Sequence, residues 1–258
     1  RPHSTTQIHN IILHLARHNI NLLELHGDWG DTAPTTPSAD PVDTIDIVNT
    51  IYSELQQTNV STFVQRRNSR IPNSIGLVTK LIHLDLSHNS LADLPPIGTL
   101  TNLIQLDLCD NQFTALPDSI YTLTKLRSLR VCGNNIQTLP DSIGVLSNLT
   151  HLDLCGNKLV ALPVSIETLI KLTHLDLCSN HLSVLPASIG SLTKLEFLDI
   201  SYNKLNTIPC ELVPVIEQLG FFEFDYDGNP LSGMPTECLS DRDRLVSYLR
   251  SHQAFSSN

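Results

Sequence analysis

The stretch THLDLCGN at residues 150–157 decides how this chain is to be read. It sets His151, Asp153 and Cys155 at alternate positions, as a catalytic or metal-binding set would. It returns as THLDLCSN at 173–180, with His174, Asp176 and Cys178 in the same order. Cys109, Cys132, Cys155 and Cys178 follow one another at intervals of 23 residues, with Cys210 and Cys238 beyond them and no CxxC pair. A uniform interval marks an internal repeat and not a disulfide framework, whose bridges need particular pairs brought together.

Extended outward, the stretch becomes Leu149, Leu152, Leu154, Asn157, Leu159, Leu162 and Pro163, or LxxLxLxxNxLxxLP. The same offsets fall on Leu81, Leu84, Leu86 and Asn89, on Leu103, Leu106, Leu108 and Asn111, and on Leu126, Leu129, Val131 and Asn134. They fall again on Leu172, Leu175, Leu177 and Asn180, and on Leu195, Leu198, Ile200 and Asn203. In xLxLx, alternate residues face opposite sides of a strand, so the leucines turn inward and the residues between them outward. One such turn cannot bury its leucines alone, whereas stacked turns share a continuous core. The asparagine column supplies amide donors and acceptors to turn backbone that would otherwise lack partners. The segment after it, as in LPDSIGVL at 139–146, predicts a short helical turn or irregular bend on the return path.

These residues resemble the leucine-rich repeat family, in the 23-residue LPxSIG form of its intracellular members. The resemblance implies an α/β solenoid, a curved horseshoe with parallel strands on its concave face and short helical or irregular segments on its convex face. The N-terminal helix-strand units, with the Asn, Thr and His content, are also similar to leucine-rich repeat effectors that intracellular bacteria such as Legionella deliver into host cells. Effectors of that kind with ubiquitin ligase activity carry a separate catalytic domain, for which the chain after Pro235 is too short.

The two ends depart from the repeat. Phe221, Phe224, Tyr226, Asn229, Leu231 and Met234 fit the offsets after an interval of 26 residues. SDRD at 240–243 then predicts a helix N-cap, with Leu245, Val246 and Leu249 as the stripe that covers the end of the core. At the other end, residues 8–28 read as a helix leading into a strand, with Ile20, Leu23, Leu25 and Asp28 at the repeat offsets. A Pro-rich loop follows at 30–41, then a helix from Pro41 and a strand near Phe63, where Gln65 in a leucine position weakens the turn. The expected division is residues 1–70 as N-terminal cap units, 71–235 as repeats, and 236–258 as a capping helix and tail.

The 258 residues carry a formal net charge of −10, which argues against a nucleic-acid partner. No stretch reaches the roughly 18 apolar residues of a membrane helix, and no signal-peptide profile opens the chain. A cytoplasmic protein is expected, or one secreted into a host cytoplasm if it is a bacterial effector. The start at Arg1 reads as a trimmed segment.

Catalysis by the repeated His, Asp and Cys is disfavoured by spacing. Along a strand such residues stand about 6.6 Å apart, whereas proton transfer needs roughly 3.2 Å. Stacked histidines or cysteines on adjacent strands, about 4.8 Å apart, lack the short-spaced clusters typical of zinc sites, and they sit wide for a disulfide. Free thiols, no metal, no cofactor and no catalytic residues are therefore expected. In the cysteine column, Ser87 and Ser201 alternate with Cys, as a slot for small side chains would allow.

The outward columns are the functional lead. Asp85, Asp107, Asp153, Asp176, Asp199 and Asp225 form an acidic line that Arg130 interrupts, with Arg127 near it. His83, His151 and His174 stand in a second, more varied column, and Phe197, Tyr202 and Phe222 offer exposed aromatics of the kind that anchor interfaces. The expected function is a non-enzymatic module, monomeric alone, that grips a folded protein with a basic or hydrogen-bond-donating surface. A rigid horseshoe can bury an enzyme's active-site mouth, as the ribonuclease inhibitor family does, so the partner could be an enzyme or a fellow effector. The alternatives are a host-type signalling scaffold and an enzyme or metal protein using the His, Asp and Cys columns.

Overall fold

The computed structural model describes residues 22–26, 62–66, 71, 73–220, 223–239 and 241–256. The helices expected at 8–21 and from Pro41, the Pro-rich loop at 30–41, and Phe222 lie outside the described residues. The chain divides into two compact units, residues 1–113 with 117–126 and residues 114–116 with 127–258.

In the first unit, strands β1 (Leu22–His26), β2 (Thr62–Arg66), β3 (His83–Asp85) and β4 (Gln105–Asp107) pair in chain order, all parallel. The turn weakened by Gln65 does form a strand: Phe63 registers with Leu23 on one side and Leu84 on the other. Main-chain pairing runs along all of β2 to β1, and over Thr62–Val64 to β3.

In the second unit, β5 (Ser128–Arg130), β6 (His151–Asp153), β7 (His174–Asp176), β8 (Phe197–Asp199) and β9 (Phe224–Asp225) again pair parallel and in order. Register is fixed by the leucine column, since Leu129, Leu152, Leu175, Leu198 and Phe224 fall opposite one another and all are buried. A slip of one residue would turn that column to solvent.

Prolines start the return path. Pro140, Pro163 and Pro186 hold extended backbone, with φ of −76°, −71° and −66°, immediately before 3-10 turns at Asp141–Val145, Val164–Thr168 and Ala187–Ser191. Each turn buries a single isoleucine, Ile143, Ile166 or Ile189, which locks it onto the core. The last such turn, Cys210–Leu212, runs into helix α1 (Val213–Gln218).

Helices α2 (Thr236–Leu239) and α3 (Arg242–Ser256) close the described chain. Asp241 caps α3 by accepting from the Asp243 and Arg244 amides, and Leu245 and Leu249 are buried along its inner face. The Arg242 guanidinium donates to the carbonyls of Ile216 and Leu219, satisfying the end of α1.

Candidate functional site

The predicted outward residues fall on the strands and the turns just beyond them. In the first unit His83 and Asp85 lie on β3 and Asp107 on β4, and His83 Nδ1 meets Gln105 Oε1 at 2.6 Å. In the second unit Arg130 lies on β5, His151 and Asp153 on β6, His174 and Asp176 on β7, Phe197 and Asp199 on β8, and Asp225 on β9. Arg127 is exposed just before β5, and Tyr202 is 67% exposed in the turn after β8.

The ring-bearing residues of the second unit form one stack. The imidazoles of His151 and His174 are 4.3 Å apart between centroids and 11° from parallel, and Phe197 continues the stack 6.0 Å from His174. A neighbouring threonine hydroxyl meets each imidazole. Thr150 Oγ1 donates to the Arg127 carbonyl at 3.0 Å and lies 2.9 Å from His151 Nδ1. Thr173 Oγ1 makes the equivalent pair of contacts, to the Thr150 carbonyl and to His174 Nδ1. With the hydroxyl proton given to the carbonyl, Nδ1 would carry the ring hydrogen and Nε2 would be an acceptor. Burial, with His174 alongside, holds the His151 imidazole below the usual histidine range against the opposing pull of Glu196.

The aspartates have a role in the backbone that their column alone does not reveal. Asp85 Oδ1 accepts from the Ser87 amide at 2.9 Å, Asp107 from Cys109 at 3.0 Å, Asp153 from Cys155 at 3.2 Å and Asp176 from Cys178 at 2.9 Å. Asp199 and Asp225 repeat the bond, to Ser201 at 2.8 Å and Asp227 at 2.9 Å. Each carboxylate therefore bends the chain out of its strand, as an Asx turn does. Arg130 supplies no such acceptor; its Nε instead faces Asp153 Oδ2 at 3.4 Å. Burial, and then the charges of Asp153 and Asp199, raise the Asp176 carboxyl above the usual range, while the bonds from Cys178 pull it down. Asp176→Ala should lower the unfolding free energy by about 1 kcal/mol, while Asp176→Asn, which keeps Oδ1, should leave it nearly unchanged in denaturant titrations.

Because the strand ends at Asp153, Cys155 belongs to the turn and not to the strand. The residue after it is left-handed in every rung of the second unit: Gly133 and Gly156 at φ of 63°, Ser179 at 53°, Tyr202 at 51° and Gly228 at 71°. That geometry projects Tyr202 outward, with its ring where a Cβ on Gly228 would stand, 2.7 Å away. The Cys155 and Cys178 thiols and the Asp176 carboxylate converge, their ligand atoms all within 4.8 Å of one another.

The His, Asp and Cys of one rung are thus engaged separately. His151 meets Thr150 and His174, Asp153 holds a turn amide and faces Arg130, and Cys155 adjoins the next rung. Burial pushes the Cys155 thiol up, with Asp176, Asp153 and Cys132 adding to it and the bond from Cys178 opposing it. A thiol held protonated is a poor nucleophile. What the second unit does present on its strand face is the stacked imidazoles of His151 and His174 and the carboxylates of Asp176 and Asp199, beside an aromatic edge at Phe197.

Two family models match consecutive parts of the chain, "Leucine Rich repeats (2 copies)" over residues 79–121 and "Leucine-rich repeat region" over 121–219. No curated protein sequence matches it. Among solved structures it is similar to a leucine-rich repeat protein of Leptospira interrogans, at 28% identity and a TM-score of 0.63 over 68% of this chain and 51% of that one. It is similar to the ectodomain of the Arabidopsis receptor kinase HAESA, solved in complex with an N-terminally extended IDA peptide hormone ligand, at 25% identity and a TM-score of 0.59. That match covers 69% of this chain and 32% of the ectodomain chain. An internalin of Listeria monocytogenes shares the fold, at 23% identity and a TM-score of 0.62 over 69% of this chain and 50% of that one. The chain thus spans about half the length of the bacterial proteins and less of the plant ectodomain. Among the described residues no helix is long and apolar enough to cross a membrane.

Proposed function

The chain is a leucine-rich repeat protein, a family of binding modules that are usually non-enzymatic, and on that premise we propose that its second unit binds a folded protein through the strand face. The observation that carries the proposal is the chemistry of that face. The imidazoles of His151 and His174 stack along that face, and the Asp176 and Asp199 carboxylates, each anchored through Oδ1 to a turn amide, carry their negative charge beside them. Such a face is complementary to lysine and arginine side chains, with Phe197 and Tyr202 as apolar anchors at one end. His83, Asp85 and Asp107 form a smaller surface of the same kind on the first unit, and Arg127, Arg130 and Asp225 belong to the proposed contact set at the margins; Phe222, expected to join it, lies outside the described residues. The plant receptor ectodomain, solved with a peptide ligand, supports ligand binding by this architecture.

The narrower form of the proposal is occlusion: the partner is an enzyme with a basic rim around its active site, and the complex blocks that rim. In this form the protein is one that a bacterium delivers into a host cell, and the two bacterial neighbours support that setting only at the level of fold.

The test uses the protein as bait for cross-linked capture, followed by measured affinities with the captured partner. Asp176→Asn with Asp199→Asn keeps both turn bonds and removes two charges, and it should weaken binding about tenfold, or ~1.4 kcal/mol. The loss should shrink as salt is raised. Val164→Ser, on the opposite side at 62% exposure, should change nothing. Equal affinity for the wild type and the double variant, with loss in Val164→Ser, would move the site to the 3-10 face.

A further inference from the structure

The thiols of Cys155 and Cys178 come together across neighbouring rungs of the second unit. Cys155 sits in the turn after β6, Cys178 in the turn after β7, and Asp176 ends β7, so two neighbouring rungs supply three donor atoms within 4.8 Å of one another. Two thiolates bound to one tetrahedral zinc ion at about 2.3 Å stand roughly 3.8 Å apart, so rotations of the side chains close the set. We propose that Cys155, Cys178 and Asp176 form a site for a divalent d10 cation, zinc or cadmium, that staples the sixth rung to the seventh.

The surroundings favour a cation over reactive thiols. Asp176 Oδ1 is already fixed by the Cys178 amide at 2.9 Å, which orients the carboxylate before any ion arrives. Asp153 and Asp199 add negative charge on either side, in register with Asp176. All three ligands are half-buried, so solvent reaches the set and water can complete a tetrahedron. An ordinary thiol is protonated near neutral pH, so each enters the reaction with its proton. Binding is then a charge-balanced exchange in which the ion replaces the two thiol protons, which pass to the buffer, and no oxidant or reductant is needed. A mixed set of two soft sulfurs and one hard oxygen suits a borderline ion such as zinc better than calcium or magnesium.

The test titrates the reduced chain with cadmium, reading thiolate-to-cadmium charge-transfer absorbance and proton release, and with zinc, reading the rise in Tm. Saturation at one equivalent is expected. Cys155→Ser and Cys178→Ser should each lose more than the about 100-fold that a merely supporting residue costs, and Asp176→Asn about tenfold. Cys210→Ser and Cys238→Ser should bind as the wild type does. A readout independent of variant folding is alkylation of the unmutated chain: zinc should protect Cys155 and Cys178 and leave Cys210 labelled at its metal-free rate. Absence of saturable cadmium binding would overturn the assignment. So would wild-type affinity in the Cys155→Ser, Cys178→Ser double variant, or zinc protection confined to other cysteines.

Discussion

Replacing Asn180 with alanine is expected to destabilise the protein by about 3–5 kcal/mol, although the side chain carries no charge. Asn180 is 4% exposed and ties two rungs together. Its Nδ2 donates to the Leu154 carbonyl of the preceding rung at 2.9 Å and to Leu177 and Cys178 of its own at 3.1 Å each. Its Oδ1 accepts from the Leu159 amide at 3.0 Å. Alanine leaves that amide without its acceptor beside a buried leucine, a cost of roughly 1–3 kcal/mol, and each carbonyl that loses its donor adds to it. Asn180→Asp is the informative companion: it keeps the acceptor but turns a carboxylate toward carbonyl oxygens, and it should be no better than alanine. Denaturant unfolding measures the loss, and hydrogen exchange should place the first opening at the Leu159 amide. A loss below about 1 kcal/mol would mean that water replaces the amide at little cost.

The asparagine ladder was legible in the sequence because its partners are main-chain groups that every turn must have. The leucine columns were legible because a period of two, repeated every 23 residues, leaves one arrangement that buries them all. The aspartates were only half legible. Their spacing puts Asp153 and Asp176 in one outward column, but spacing does not say that a carboxylate turns back to the amide two residues on. The same limit hid the left-handed rung position. Gly133 and Gly156 hint at it, whereas Ser179 and Tyr202 occupy it with side chains that normally avoid positive φ. Cys155 was placed on the strand because alternation was extended one step too far; the Asp153 turn ends the strand before it. A lysine at Asp153 or Asp176 would therefore confound binding with stability. The asparagine variants separate them.

Leu152→Ala is expected to cost about 2–5 kcal/mol, through lost burial and the cavity left behind. Leu152 is 1% exposed and stands in register between Leu129 and Leu175, both fully buried. Strand pairing on both sides fixes the backbone, so neighbouring rungs cannot slide inward to fill the space, and the cost should fall in the upper half of that range. Its neighbour His151 gives the contrast. His151→Ala removes an exposed ring that stacks on His174 and should change stability by less than about 1 kcal/mol, while taking an imidazole from the proposed binding face. Thermal unfolding and affinity for a captured partner should therefore respond to opposite residues of one dipeptide: Leu152→Ala loses stability and His151→Ala loses binding. If His151→Ala were as destabilising as Leu152→Ala, the histidine stack would be structural, and the proposed binding face would shrink to the carboxylates of Asp176 and Asp199.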